Sequence, residues 1–292
     1  VSTTMSNLAS LKEVLPYIKY TKEFFEVKPS IEHSPSAIKI NESTPVEIIF
    51  EAVSFMYPGQ EKTVVHNISF ILHPGEKFAL VGLNGAGKST LIKLLLRMYD
   101  PTAGRILING IDLKNIDLVS WYEYLGVLLQ DSSRYEFLSI KETVQLFAKQ
   151  KISDHEIHSL LASIRAESIV DETEKGLDML QSTEYGGKEL SGGQFQKIAL
   201  ARILARNAKF IVLDEPTSSI DALSEEKIFE TLHALSKDVT MLFISHRFTT
   251  IRNAERIIVL NEGTISEQGT HKELMKNKSL YAEMYTTQVL GK

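Results

Sequence analysis

The segment GLNGAGKST, residues 82–90, has the residue types and spacing of a phosphate-binding loop. It satisfies the pattern G-x-x-x-x-G-K-[ST], a strand pattern (FALVGL) leads into it and a helical pattern (STLIKLLL) leads out. Glycines allow tight turns that bring backbone N–H groups close to phosphate oxygens. Lys88 can reach the terminal phosphates, and the Ser89 hydroxyl can ligate Mg²⁺. The candidate nucleotide contacts are Gly82, Leu83, Asn84, Gly85, Ala86, Gly87, Lys88, Ser89 and Thr90.

Two carboxylates end the apolar run in FIVLDEP, residues 210–216. In an open α/β sheet, ligands bind at the carboxyl ends of the strands. We expect Asp214 to hold magnesium through its shell, and Glu215 to polarise a water for attack on the γ-phosphate. Alone, the pair could be a polar strand end of any α/β protein. Together with the phosphate loop it favours a catalytic site.

A second glycine turn, within KELSGGQFQK, precedes the helical pattern QFQKIALARILA. Ser191, Gly192, Gly193 and Gln194 lie where this helix should begin. Small residues at a helix N-terminus favour an anion, because N–H groups and the positive end of the helix dipole meet there. The chain therefore has two candidate phosphate sites. Sequence alone does not tell whether the second site serves the same chain or another.

An alternating α/β framework must position these residues. Apolar runs such as FALVGL, FIVLD, TMLFIS and ERIIVL alternate with helical patterns, which predicts a mainly parallel sheet flanked by helices. VEIIFEAVSFMY, HNISFILH and RILING are further strand patterns. Residues 139–182 contain no convincing strand pattern. They predict a helical insertion at about 131–190, which includes a helix over SIVDETEKGLDML.

Taken in order, GLNGAGKST, LSGGQ, IVLDEP, SSID and ISH resemble the nucleotide-binding domain of ABC transporters. The resemblance covers about residues 46–290, and LSGGQ is its most specific part. It implies an α/β fold: a P-loop NTPase core with a mainly parallel sheet flanked by helices, an antiparallel β subdomain and an inserted α-helical subdomain. It also implies an ATPase with ATP and Mg²⁺ as cofactors. Two such domains would dimerise head to tail, with ATP between the phosphate loop of one and LSGGQ of the other.

Further site residues follow from the resemblance. Gln130 in VLLQD matches the Q-loop, which ligates magnesium with Ser89 and Asp214 and senses the transmembrane part. His246 in ISH matches the switch histidine, which contacts the γ-phosphate and acts with Glu215. Each of these residues would be unremarkable if it stood alone at a strand end.

Three more positions match the family with varying closeness. Asp221 in SSID matches the D-loop at the dimer interface, although the family usually has SALD. Tyr57 in FMYPG matches the aromatic residue that stacks on adenine, and Val65 would make an apolar contact with the same base. The alternative for Tyr57 is a strand-end ring that packs on the core. STEYGGKELSGG only partly matches the T-E-V-G-E-R-G of many exporters, which leaves the details of coupling to the membrane part open.

The amino-acid composition of the chain excludes or disfavours several classes of function. The chain has 292 residues, 43% hydrophobic and 24% charged, a net charge of −5 and no cysteine. The absence of cysteine excludes disulfides and thiolate metal sites, including the zinc sites of excision-repair ATPases. The acidic balance argues against nucleic acid as a partner. The sequence has no run of 18 apolar residues that would span a bilayer.

Residues 1–45 are expected to form a linker or the end of a connector from a transmembrane domain, and residues 46–292 the nucleotide-binding domain. Pro16 interrupts the helical pattern of the first part. With Val1 at the front, we expect an excised soluble domain of an exporter whose transmembrane domain is fused N-terminally. The intact protein would lie in the cell membrane with this domain facing the cytoplasm. The alternatives are a frayed terminus, a stand-alone importer subunit, a non-transport ABC ATPase, and a domain that holds ATP without turnover.

Overall fold

The computed structural model describes residues 2–31, 35–41, 44–130, 133–217, 219–235, 238–245 and 247–290. The chain divides into two units, residues 1–32 and 33–292. The first unit holds one helix, α1 (Ser2–Glu26), which continues through Pro16 although the sequence pattern is interrupted there. A proline removes one helical hydrogen bond, and the turns on either side can still form. The domain boundary at residue 45 stays a prediction.

The second unit contains two sheets and the helices that flank them. Its described strands are β1 (Ile48–Met56), β2 (Thr63–Leu72), β3 (Lys77–Gly82), β4 (Ala103–Ile108), β5 (Ile111–Asp112), β6 (Leu125–Leu128), β7 (Phe210–Asp214), β8 (Thr240–Ile244), β9 (Arg256–Asn261) and β10 (Thr264–Gly269). Its described α-helices are α2 (Lys88–Leu95), α3 (Leu118–Tyr124), α4 (Ile140–Gln145), α5 (Asp154–Ser163), α6 (Ser168–Asp171), α7 (Gly192–Arg206), α8 (Ala222–His233), α9 (Phe248–Ile251), α10 (His271–Asn277) and α11 (Leu280–Leu290).

The larger sheet has the strand order β10-β9-β3-β8-β7-β6. It is parallel except for β10, which pairs antiparallel with β9. Every residue of β3, β7 and β8 is buried, which explains why their sequences are continuous apolar runs rather than alternating patterns. Since neighbouring parallel strands end at the same edge, the loop after β3 and the carboxylates at the end of β7 lie at one edge of the sheet.

The smaller sheet, β2-β1-β4-β5, is antiparallel throughout. A row of stacked rings joins it to the larger sheet: Phe50 stacks on Phe70 with centroids 4.4 Å apart, and Phe70 stacks on Phe78 of β3 at 5.7 Å. The pairing of β1 with β2 shifts register several times between Phe50 and Met56. These irregularities determine which side chains at the end of β1 and the start of β2 face the site.

The region between β6 and β7 is helical, and its apolar side chains belong to the main core. Ile140 and Val144 of α4 and Ile157 and Leu161 of α5 are fully buried. The single helix expected over residues 168–180 is instead two short pieces: α6 has only four residues, and a separate 3₁₀ turn covers Gly176–Asp178. The predicted α/β fold, with a P-loop core, an antiparallel sheet and helical additions, is confirmed.

Helix α3 has no counterpart among the sequence predictions. Asp117 caps its first turn, and the Asp117 carboxylate accepts a hydrogen bond from the Ser120 N–H at 2.9 Å. The chain's one tryptophan, Trp121, is fully buried and donates its indole N–H to the Leu95 carbonyl at 3.0 Å. Its ring also stacks near Phe210 at 6.4 Å. Trp121 therefore links the end of α2 to the start of β7, the two elements that carry the site.

Candidate functional site

The phosphate loop lies between β3 and α2, as predicted. Gly87 precedes α2 with a φ of 100°, and Gly85 has a φ of 80° with open space where a Cβ would lie. At Gly82, with a φ of 155°, a Cβ would collide with the Leu260 carbonyl of β9. Left-handed turns and close backbone approach both require glycine, so the sequence spacing follows from the geometry.

Lys88 is the first residue of α2 and is only 7% exposed. Its Nζ donates to the Gly82 carbonyl at 2.7 Å and to the Leu83 carbonyl at 3.0 Å, so the ammonium lies within the curl of the loop. Burial lowers the Lys88 pKa, and the nearby charges of Glu215 and Asp214 oppose this shift. The site thus holds a buried cation beside two carboxylates.

A cavity of about 430 Å³ opens over the loop, and we call it the phosphate cavity. Ten of the predicted site residues line it together with Val64 and Ile244: Asn84, Gly85, Ala86, Gly87, Lys88, Ser89, Thr90, Gln130, Asp214 and Glu215. Leu83 is 54% exposed and is not among the lining residues. Backbone N–H groups, a cation, a hydroxyl and carboxylates converge on this one cavity, and together they fit a nucleoside triphosphate and its metal ion.

The two carboxylates have different surroundings. Asp214, the last residue of β7, is 6% exposed. Glu215 has a left-handed backbone with a φ of 51°, and its N–H donates to the Ile244 carbonyl of β8 at 2.9 Å. Gln130 Nε2 donates to Glu215 Oε2 at 3.5 Å. The turn at Glu215 directs its side chain to the cavity while the backbone remains tied to β8.

The predicted adenine-stacking ring lies beside α2. The Tyr57 hydroxyl and Thr90 Oγ1 are 3.1 Å apart, and the Tyr57 ring meets Tyr99 edge-on at 5.3 Å. Lys93 Nζ lies 5.5 Å from the Tyr57 ring centroid. Val65 is 1% exposed, whereas its neighbour Val64 lines the phosphate cavity. The roles of Tyr57 and Val65 stay predictions.

The second glycine turn begins a helix, α7, as the sequence predicts, but its residues are not among the described residues that line the phosphate cavity. Ser191 caps α7: its Oγ accepts from the Gln194 N–H at 3.3 Å, and its N–H donates to Gln194 Oε1 at 3.0 Å. Among the described residues that line the phosphate cavity, none belongs to this 191–194 turn. The structure therefore does not bring the two candidate phosphate sites of one chain together.

The remaining predicted residues lie on other elements. Asp221 caps α8, with its Oδ1 accepting from the Ser224 N–H at 2.9 Å, and this backbone bond is the main reason that the Asp221 pKa is lowered. His246 lies outside the described residues.

Sequence reasoning did not single out a buried polar network near the carboxylates. Thr217 Oγ1 donates to Glu225 Oε1 at 3.0 Å, and the other oxygen of Glu225 accepts from Arg247. Thr217 and Glu225 are only 2% and 6% exposed. Thr217 could have been noticed because it lies two residues after Glu215, whereas Glu225 lies within α8 and has no comparable signal in the sequence.

A second cavity of about 430 Å³, which we call the groove, lies beside β6 and α7. Met98, Tyr122 and Phe147 line it and are all more than 40% exposed. Arg202 also lines it, with its guanidinium 5.2 Å from the Tyr135 ring centroid, and burial lowers the Arg202 pKa. Within the described residues, Arg202 Nη1 is buried and has no hydrogen-bond partner.

The parallel sheet, the phosphate loop and the strand-end carboxylates define a P-loop ATP-binding domain. Residues 65–218 match the family described as "ABC transporter". The chain belongs to this family, and it is an ATP-binding and ATP-hydrolysing domain of the exporter type.

The chain is 38% identical to the subtilin transport ATP-binding protein SpaT of Bacillus subtilis, over 96% of this chain and 45% of that protein. It is 35% identical to the putative multidrug export ATP-binding/permease protein YgaD of Bacillus subtilis (strain 168), over 99% of this chain and 48% of that protein. The solved structure of a bacterial Atm1-family ABC exporter with ATP bound matches with a TM-score of 0.85 and 30% sequence identity. The match covers 95% of this chain and 47% of that one. The chain thus spans about half the length of these relatives. Within the described residues, no helix is both long enough and apolar enough to cross a bilayer.

Proposed function

We propose that two copies of this domain, or two similar subunits, associate head to tail with ATP between them, and that hydrolysis powers export across a membrane. The phosphate cavity of one subunit and the 191–194 turn of the other would enclose each nucleotide. One observation carries the proposal: the 191–194 turn has the chemistry of an anion site but is not among the described residues that line the cavity of its own chain.

The chemistry of the turn supports a phosphate contact. The Ser191 oxygen accepts a hydrogen bond from Gln194, so the hydroxyl proton can be donated outward. The N–H groups of a first helical turn have no partners within the helix, and the helix dipole adds partial positive charge. Ser191 and Gly192 are exposed, so a γ-phosphate of a second subunit could reach them.

The residues around the phosphate cavity supply the hydrolytic chemistry. Lys88 would contact the terminal phosphates, and oxygens of Ser89, Gln130 and Asp214 would hold Mg²⁺. Magnesium, when bound, would neutralise charge on the phosphates. Glu215 would take a proton from a water molecule as the water oxygen attacks the γ-phosphorus and ADP leaves. His246 is proposed to act with Glu215, Tyr57 and Val65 to contact adenine, and Asp221 to lie at the subunit interface.

We propose that the second partner is a transmembrane domain, which would dock in the groove. An apolar surface with a buried, partly unpartnered arginine fits an amphipathic segment that brings an acceptor such as a carboxylate or a free helix-end carbonyl. The matched relatives are about twice as long as this chain, which supports a membrane domain within the same polypeptide. An export function is favoured over a stand-alone importer subunit, since the matched relatives include an export ATP-binding/permease protein and a solved exporter.

Size-exclusion chromatography of Glu215→Gln in saturating Mg-ATP tests the proposal. The substitution keeps the shape of the side chain but removes the base, so ATP should stay bound and hold two subunits together. We expect a stable dimer with Mg-ATP and a monomer without nucleotide.

A double variant provides the control. Ser191→Arg in the Glu215→Gln background places a bulky cation where the partner's phosphate would lie, and it should leave a monomer that still binds ATP by calorimetry. Monomeric Glu215→Gln in saturating Mg-ATP, or a dimer that Ser191→Arg does not disturb, would contradict the proposed head-to-tail arrangement.

A further inference from the structure

We propose that Gln196 is a positioning residue for ATP hydrolysis. It fixes the 219–221 segment against the first turn of α7 in its own chain, so that this helix acts on Glu215 of the same subunit as well as on the partner's nucleotide. The inference rests on the proposed function, since it extends the role of α7 from the opposite site to its own.

The contact between α7 and the 219–221 segment is direct. Gln196 Oε1 accepts a hydrogen bond from the Ser219 N–H at 3.0 Å. One turn earlier on the helix, Gly193 packs so closely that a Cβ would lie 2.6 Å from the Ser219 carbonyl oxygen. Backbone of the segment thus contacts the helix through both a hydrogen bond and close packing. The absence of a side chain at Gly193 serves this contact within one chain.

The segment is held on its other side as well. Arg247, which follows β8, donates to the Ile220 carbonyl at 3.2 Å and also to Glu225. Glu225 in turn accepts from Thr217 Oγ1, and the Ile220 N–H donates to the Thr217 carbonyl at 3.1 Å. Because Thr217 and Glu225 are buried, these bonds are not readily replaced by bonds to water. The 219–221 segment is therefore clamped between α7 and the chain after β8.

This clamp ends two residues from the proposed catalytic base. Thr217 is separated from Glu215 by Pro216 alone, and proline restricts the backbone at its own position and at the residue before it. The Glu215 N–H is tied to the Ile244 carbonyl of β8. A shift of the first turn of α7 therefore moves Ser219, and through the Thr217 turn it changes the position of the Glu215 carboxylate.

Three variants of the full chain test this role. Gln196→Leu removes the acceptor with little change in size, and Gln196→Glu keeps an acceptor oxygen. Gln145→Leu is the matched control, because Gln145 Nε2 makes a comparable bond to the Ile152 carbonyl at 2.9 Å in the helical region. For Gln196→Leu we expect kcat to fall about five-fold, which corresponds to about 1 kcal/mol, with KM for ATP unchanged. Gln196→Glu should retain most of the activity, and Gln145→Leu should retain kcat.

Amide hydrogen exchange of the nucleotide-free protein gives a readout that does not depend on hydrolysis. The Ser219 amide should exchange about ten-fold faster in Gln196→Leu than in the unaltered chain and the control. Unchanged exchange, or faster exchange with an unchanged kcat, would overturn the inference. If Glu215→Gln forms no dimer in saturating Mg-ATP but Gln196→Leu still exchanges faster and lowers kcat, the head-to-tail proposal fails and the intrachain role stands.

Discussion

Neighbouring glycines in the 191–194 turn have different surroundings, which makes a sharp experiment possible. A Cβ at Gly193 would lie 2.6 Å from the Ser219 carbonyl oxygen, whereas a Cβ at Gly192 would meet its nearest atoms, in the Ser219 side chain, at 3.5 Å. Both residues lie in the first turn of α7, so alanine changes the helix propensity at both by a similar amount. The comparison between Gly193→Ala and Gly192→Ala therefore isolates the clash with the 219–221 segment.

The size of the effect follows from the distance. To reach an ordinary contact near 3.4 Å, the Ser219 carbonyl or the helix must move by about 0.8 Å. Overpacking of this kind costs about 2 kcal/mol, which lowers Tm by roughly 4–8 °C for a domain of this size. A displacement approaching 1 Å in the segment that follows the proposed base, Glu215, is expected to lower kcat by roughly 10- to 100-fold. Gly192→Ala should leave Tm of the nucleotide-free chain within about 1 °C.

Thermal unfolding of the nucleotide-free monomer is the decisive assay, since no partner's nucleotide contributes to it. Steady-state ATPase measurements on the same samples then give kcat. Equal Tm values for the two variants, or a Gly193→Ala chain that melts like the unaltered one, would refute the argument that Gly193 is required by packing within its own chain. If both variants melt normally and both lose turnover, the glycines serve the partner's phosphate alone.

Two further predictions concern the buried cation and the acid end of the pH range. Lys88→Ala should weaken ATP binding by about 10- to 100-fold, measured by calorimetry, because a charge-assisted contact to the phosphates is lost; unchanged affinity would contradict the loop assignment. Hydrogen bonds from the Ser139 backbone N–H and, to a lesser extent, from the Ser139 side chain lower the Glu142 pKa. The charged Glu142 carboxylate therefore stabilises α4 at pH values above the unfolded-state pKa of glutamate, near 4.3. This stabilisation is lost as the pH falls through the lower pKa of Glu142 in the folded state. Glu142→Gln should therefore have a lower Tm than the unaltered chain at pH 7, and the two melting curves should converge towards pH 3; a constant difference would count against this account.

The phosphate loop is predictable from the sequence because its geometry is local. Its glycines, Lys88 and Ser89 lie within a single strand–turn–helix unit, and the chemistry of each residue depends on immediate neighbours. The same holds for the helix start at Ser191, where capping involves residues only three positions apart. The continuous apolar runs of β3 and β7 also indicate a buried parallel sheet from the order of residues alone.

Features that depend on distant residues are not predictable in this way. Whether Val64 or Val65 faces the phosphate cavity depends on the irregular pairing of β1 with β2, because neighbouring side chains of a strand point to opposite faces. The contact of Gly193 with Ser219 joins elements that are far apart in sequence, so the glycine suggested only a phosphate. Helix α1 continues through Pro16, although the local pattern favoured a break.

The left-handed backbone at Glu215 has opposite consequences for stability and for the proposed activity: glycine would suit the backbone better, but the proposed reaction needs the glutamate side chain. A glutamate in this conformation is less stable than a glycine would be by about 1 kcal/mol, and the bond to β8 helps to keep it there. If Glu215 is the base as proposed, a chain with glycine at this position would unfold at a higher temperature and hydrolyse no ATP. Selection or engineering for thermostability alone would thus tend to remove the proposed base, and a screen for thermostable variants of this domain must include a measurement of ATP hydrolysis.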